Sequence, residues 1–432
     1  MRRIPARGRS GLGLALTLLV ILSGVASAAG HDAGQGETVR VGLYFGDHAP
    51  SAVAVNGQGQ WQAGRERGSL RGAVRLRANA GHLEISQAGE HPREIGRSIE
   101  ISPARAGSPL ILDGISYRGL LRVEVQPTAA GGLRVVNSLD LEDYLRGVVP
   151  NEMFAEPVAC EVQAIISRTL AIFIRDHQRR HAREDGFDVC ATGHCQVYRG
   201  VSSETGQADD AVRRTRGEVL TYHGAVILAA YHANAGGHTA ETDEAWPGSS
   251  RLPYLSPVGS PYDGVAADLG YPDCYLWQEK AGAGPVRERL RAVTGYDVGE
   301  VRGMAVLERW PSGRVKQLRV TGARRQVTLW RPRDIRRALG IGQEDSGKPY
   351  DHDLRLVSIR KTPDGFLITG HGAGEGVGLS QQGAVGMARA GFTCEAILGH
   401  YYRGTELTDD YGRGRPRPLS APSLLARAAR PN

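Results

Sequence analysis

The chain is 432 residues long, with a formal net charge of +7, 41% apolar residues and 23% charged residues. About 150 residues per domain allows two or three domains, and this apolar content excludes a wholly disordered chain. Abundant Gly (58) with only 6% aromatics favours strands, turns and binding loops over a helical bundle, and five Cys are too few for a small disulfide scaffold.

The amino terminus carries Arg2, Arg3, Arg7 and Arg9, then an apolar run from Leu12 to about Val25, then Ala26-Ser27-Ala28. That order is the pattern of a secretory signal peptide over residues 1–28, with an uncleaved anchor as the alternative. No second long apolar stretch is evident, so no membrane span is expected after cleavage. Removing residues 1–28 takes away four Arg and no acid, leaving 49 basic against 46 acidic side chains, or +3. So mild an excess does not argue for nucleic acid, and export to the periplasm or cell wall argues against it.

Residues 38–135 read as a β-rich part. Thr38–Phe45, Leu70–Leu76, Leu83–Ile85 and Leu121–Val125 alternate, and Gly-rich breaks such as Ala130-Gly131-Gly132 mark hairpins. Residues 136–407 change period. Leu139–Val149 reads as a short helix broken at Pro150-Asn151. Pro157 suits the first turn of a longer helix. Val162, Ile165, Ile166, Leu170, Phe173 and Ile174 then recur at helical steps, and the helix should end near His181. Glu218–Tyr222 and Ala225–Tyr231 are strand-like. Helices at Val286–Val293 and Pro332–Leu339 alternate with strands at Met304–Glu308 and Arg314–Thr321. Two strands over 354–370 precede a Gly-rich loop, Gly370–Gly383, and a helical Ala384–Tyr402. Residues 408–432 are polar, Arg/Pro/Ala-rich and expected to be a disordered tail. The class is α+β, with a β-rich N-terminal part and helices beside a groove.

Three constellations carry possible chemistry. Glu152 stands between Pro150-Asn151 and the apolar Met153-Phe154. Apolar surroundings raise a carboxyl's pKa and suit it to acid catalysis, although a lone Glu at such a place also serves as a cap. Cys190, His194 and Cys195 could meet one Zn²⁺, with His181 or His177 as the fourth ligand, or Cys190 and Cys195 could form a disulfide. The glycines of Gly370–Gly383 allow close backbone approach to a ligand or simply positive φ. The loop lacks the Lys-Ser/Thr of a phosphate loop, and Ser380 lacks the flanking glycines of a nucleophile elbow.

Ordered blocks link these pieces. They are Tyr117-Arg118-Gly119, Leu141–Leu145, Gly147–Met153, Ser167-Arg168-Thr169, Phe187–Cys190, His194–Tyr198, Gly236-Gly237, Pro253-Tyr254-Leu255, Ser380-Gln381 and His400–Thr405. In this order, from about Thr38 to Leu407, the chain resembles the stage II sporulation protein D family, which includes amidase-enhancer proteins of bacterial cell walls. The resemblance implies a murein lytic transglycosylase with Glu152 as catalytic acid, acting on peptidoglycan glycan strands, or else a glycan-binding activator of a cell-wall amidase. It implies zinc at Cys190, His194 and Cys195, with His181 preferred as fourth ligand. It implies substrate contacts from Tyr144, Arg168, His371, Glu375, Ser380 and Gln381, with the Gly-rich loop lining the groove opposite Glu152. One position departs from the family pattern: Glu375 stands where a His usually lies, and His371 is four residues earlier.

Overall fold

A computed structural model of the protein describes residues 37–87, 89–126, 131–342 and 351–419. The expected signal peptide and residues 420–432 lie outside the described residues. The fold is α+β, and its N-terminal part is β-rich as expected.

Alternation builds the first two sheets. Ala52–Asn56 and Gly59–Ala63 bury every second residue, so each presents one apolar face. A seven-stranded sheet runs in the order Val189–Cys190, Thr38–Tyr44, Leu133–Asp140, Leu120–Val125, Ser98–Pro103, Gly59–Ala63, Glu66–Ser69. A six-stranded sheet centres on Ala52–Asn56 and Val74–Asn79. Val53 and Leu76 of one, and Ile99 and Leu121 of the other, share one core. The division expected at residue 135 falls inside Leu133–Asp140, which pairs with both Thr38–Tyr44 and Leu120–Val125. The β-rich part therefore ends at Asp140, whose side chain caps the next helix, Leu141–Arg146, by accepting from the Glu142 N–H.

Pro150 does not break the chain. It occupies the first turn of a second short helix, Val149–Glu152, where its missing N–H costs nothing. The long helix Pro157–Phe173 passes through the core, capped by the Glu156 carboxylate on the Ala159 N–H. With the wide turn that follows it is apolar and long enough to cross a membrane, but it is mostly buried inside the protein. It does not run on to His181. A wide turn at Ile174–Gln178 and a left-handed Arg179 (φ 49°) redirect the chain into Arg180–Glu184, which carries His181.

Residues 276–368 form a unit that was not expected. Trp277, Val286, Leu290, Leu318, Val320, Ile335, Leu339, Leu356 and Ile368 make a second core of their own. Around it lie two three-stranded sheets and the helices Ala283–Thr294 and Pro332–Leu339. Arg314 ties this insert to the body. Its guanidinium pairs with buried Asp353 (2.9 and 2.5 Å) and donates to the His238 and Ala235 carbonyls (2.9 and 3.3 Å).

The last segments also differ from expectation. His371 and Gly372 belong to the strand Gly365–Ala373, and the glycine loop proper is short. Gln381–Arg389 and Cys394–Tyr401 are separate helices. The chain past Thr408 does not start as a free tail, because Pro416–Pro418 pairs with Glu406–Thr408, which pairs with Val219–Tyr222.

Arg168 is a charged group with no solvent exposure at all. It holds Glu142 through two bonds of 2.8 and 2.6 Å. It also donates to the Glu218 carbonyl, and the Gly217 N–H donates to Glu142. Breaking a buried pair strands a charge. Arg168→Ala should therefore lose about 3–5 kcal/mol of stability in urea unfolding. A loss below about 1 kcal/mol, the size of an exposed pair, would contradict this role.

Candidate active site and metal centre

Glu152 ends the short helix Val149–Glu152, so its side chain leaves the helix at a turn and meets segments distant in sequence. The Val197 N–H donates to one carboxyl oxygen at 2.6 Å. Gln381 Nε2 lies 3.4 Å from the other and bonds more closely to the Glu152 backbone carbonyl. Burial pushes the Glu152 carboxyl above its ordinary pKa, and the Val197 N–H, Gln381 and the nearby Tyr231 hydroxyl pull partly against it. The group is poised to hold a proton yet supported when it loses one.

A second layer orients those donors. Tyr144 is fully buried, and its hydroxyl donates to Gln196 Oε1 at 3.1 Å. Gln196 Nε2 faces the Tyr231 oxygen at 3.5 Å. Tyr144 is therefore committed to Gln196 inside the protein and has no surface for the substrate contact expected of it.

Gln381 is held by the start of its helix. Ser380 caps that helix by accepting from the Gly383 N–H (3.1 Å) and donates to Asp263 (2.6 Å). Asp263 also accepts from Ser260 and from the Gly237 N–H, each at 2.8 Å. Burial pushes its pKa up to about 6 against those donors. The glycines here serve packing. A Cβ on Gly383 would lie 2.3 Å from the Tyr401 hydroxyl, and one on Gly378 (φ +75°) would lie 2.0 Å from the Ala230 carbonyl oxygen.

Of the residues expected at substrate, Gln381 alone is shown against Glu152. Arg168 is corrected to a core ion pair, and Ser380 to a buried cap, because neither has surface left to offer. His371 sits on the insert's strand with Nδ1 2.9 Å from the Tyr275 carbonyl. Glu375 pairs with Arg336 of the insert at 3.2 Å. Sequence reasoning missed Tyr231, Gln196 and the Val197 N–H. Gln196 and Val197 lie within the block His194–Tyr198, whereas Tyr231 lies in a strand-like run with no signal of its own.

His181, Cys190, His194 and Cys195 bring one donor atom each to within 4.8 Å of one another. His194 Nδ1 lies 3.4 Å from His181 Nε2 and 3.6 Å from each sulfur. A tetrahedral zinc site has edges of about 3.4 Å between nitrogens and about 3.6 Å between nitrogen and sulfur, given its usual bond lengths. The spacing fits. His181 Nδ1 lies 2.8 Å from Asp185, which leaves Nε2 free to point inward. Cys190 is held well below the usual thiol range, first by its hydrogen bond with Cys195 and then by His181 and His194. Both cysteines are free thiols, and His177 packs on Phe173 instead. Two residues past Cys195 comes the Val197 N–H that holds Glu152.

The chain is similar to several known proteins. Residues 129–222 match the family profile described as stage II sporulation protein, and residues 262–378 match a domain of unknown function that coincides with the insert. An uncharacterized protein of Brachyspira hyodysenteriae is 31% identical over 301 residues, covering 69% of this chain and 74% of its own length. Stage II sporulation protein D of Bacillus subtilis is 28% identical over 74% of this chain and 89% of its own length. The amidase enhancer of Bacillus subtilis is 28% identical over 78% of this chain and half of its own length. With the profile covering the Glu152 helices and the Cys/His cluster and relatives matching over most of its length, the chain belongs to the stage II sporulation protein D family.

Proposed function

We propose that the protein cleaves peptidoglycan glycan strands outside the cytoplasm by a lytic transglycosylase mechanism with Glu152 as its single acid and base. The observation that carries this reading is one half-buried carboxyl, its pKa raised by burial, that accepts from the Val197 N–H and from Gln381. Hydrolytic glycosidases use two carboxyl groups, because water must be activated separately. A muramic acid ring brings its own 6-hydroxyl, already tethered near the anomeric carbon. Protonated Glu152 gives its proton to the glycosidic oxygen as the C1–O bond breaks. The resulting carboxylate, supported by Val197, Gln381 and Tyr231, takes the proton of the 6-hydroxyl as that oxygen bonds to C1. A 1,6-anhydro end forms, no water is consumed, and Glu152 is protonated again.

Glu152→Gln keeps the shape and removes the titrating proton. It should lower cleavage of purified glycan strands by at least about a hundredfold while strand binding persists, the usual scale for losing a general acid. Near wild-type release of 1,6-anhydro ends by this variant would refute the assignment. The acid must be protonated, so the wild-type rate should fall as pH rises through the elevated Glu152 pKa, not as pH falls.

A second reading has one observation in its favour, the amidase-enhancer name of a relative. In it the protein binds glycan and activates a separate cell-wall amidase. Wild-type protein that enhances an amidase but releases no 1,6-anhydro ends would select this reading.

The Cys/His cluster would hold a structural zinc, because four protein ligands leave no open position for substrate. Its service to the site is mechanical: it braces the 190–197 segment that presents the Val197 N–H. Protein produced without added metal should carry about one zinc per chain, and chelation should lower its melting temperature. A Cys190–Cys195 disulfide found by mass mapping of the native protein would overturn this.

A further inference from the structure

Charge is segregated along this chain. Residues 276–368 carry 19 Lys and Arg against 11 Asp and Glu, while the rest beyond residue 28 carries 30 against 35. The insert is a basic module on a mildly acidic body.

Part of that charge lies on an open sheet face. The strands Val301–Arg309, Val315–Gly322 and Gln326–Leu329 form one antiparallel sheet. Leu318 lies opposite both Val306 and Leu329, and Val320 opposite Met304 and Val327; these residues turn toward the insert's core. Residues next to them point the other way. On that side Arg319 lies across from Ala305 and Thr328, and Thr321 across from Gly303 and Gln326. Gln317 bonds to Glu308 beside Leu307, which is 44% exposed. Trp330 follows the third strand and is 62% exposed, the condition least expected of a Trp without a partner. Arg331 comes next, and Arg333 and Arg337 are exposed one turn apart on the helix that begins there. Arg319, Arg331, Arg333 and Arg337 pair with no carboxylate among the described residues.

We propose that this face is a second binding surface for an acidic polysaccharide strand, separate from the groove at Glu152. This rests on the reading of the protein as one that acts on wall glycan. An exposed indole offers a flat ring for a sugar to stack on. Thr, Gln and Arg around it bond to hydroxyls, and the Arg side chains complement carboxylates on the strand. Three strands about 5 Å apart give a face about 10 Å wide, suited to one polysaccharide chain laid along it. A lipid surface fits less well, because the two exposed apolar side chains are set among polar rows and not in a continuous apolar patch. A strand held here stays near the catalytic groove between turnovers, which raises its effective concentration there.

The test uses the mature full chain and purified peptidoglycan sacculi, with cosedimentation as the binding measurement. Trp330→Ala should weaken sacculus binding about tenfold, the order expected for one aromatic contact in a repeated lattice. Its melting temperature and its turnover of short soluble glycan fragments should not change. Trp330→Phe keeps a ring and should restore most of the binding. Arg319→Gln should lessen the dependence of binding on salt. Wild-type binding by Trp330→Ala overturns the proposal. So does a loss confined to vesicles containing phosphatidylglycerol, which would make the face a lipid surface. Should Trp330→Ala fail to fold, the Trp330 fluorescence component, taken as the difference between wild type and Trp330→Phe, decides instead: quenching on adding soluble strands supports the proposal, and no change overturns it. Failure of Glu152 to act as the acid would show as absent cleavage with Trp330-dependent binding intact, so the two readings fail separately.

Discussion

A carboxyl group taken out of water needs donors, and Glu152 takes its donors from parts of the chain far away in sequence. The Val197 N–H comes from the segment that follows Cys195, and Gln381 comes from the first turn of a helix 229 residues downstream. Tyr231 comes from a strand that pairs in parallel with Leu379–Ser380, so the strand and the helix start arrive together. The Cys/His cluster anchors one side of this arrangement and the Asp263 network anchors the other.

Buried charge organises the interior in the same way. Glu142–Arg168 joins the first short helix to the long core helix and reaches the Gly217–Glu218 backbone. Arg314–Asp353 sets the insert against the Ala235–His238 turn. Such pairs contribute modestly to net stability, but either partner alone would be a stranded charge, so only one arrangement satisfies both. In a sequence, an Arg beside a helix break looks like a ligand for an acidic substrate. Only packing reveals that Arg168 has already spent its hydrogen bonds on Glu142 and on carbonyls.

The insert shows how a second core escapes a linear reading. Its strands and its helix at Pro332–Leu339 were legible from periodicity, and the bounds of that helix were matched. What periodicity lacks is the partner of each apolar face. Val286, Leu318 and Ile335 pack on one another and not on the body, so a stretch that reads as one continuous region holds two cores.

The sequence by itself determined the elements whose signal is local. Alternation marked the N-terminal strands, three- and four-residue steps marked the long helix, and the ordered blocks identified the family, Glu152, and the cysteines and histidines that cluster. Tertiary structure alone decided which side chains face solvent and which are consumed inside. It moved Tyr144, Arg168 and Ser380 from expected ligand contacts to supports, brought Tyr231 and Val197 to Glu152, and joined Pro416–Pro418 to a sheet in place of a free tail. The reason is physical. Local preference depends on neighbours a few residues apart, whereas burial, hydrogen-bond satisfaction and the pKa of a carboxyl depend on whichever residues the fold brings alongside, and those can lie anywhere in the chain.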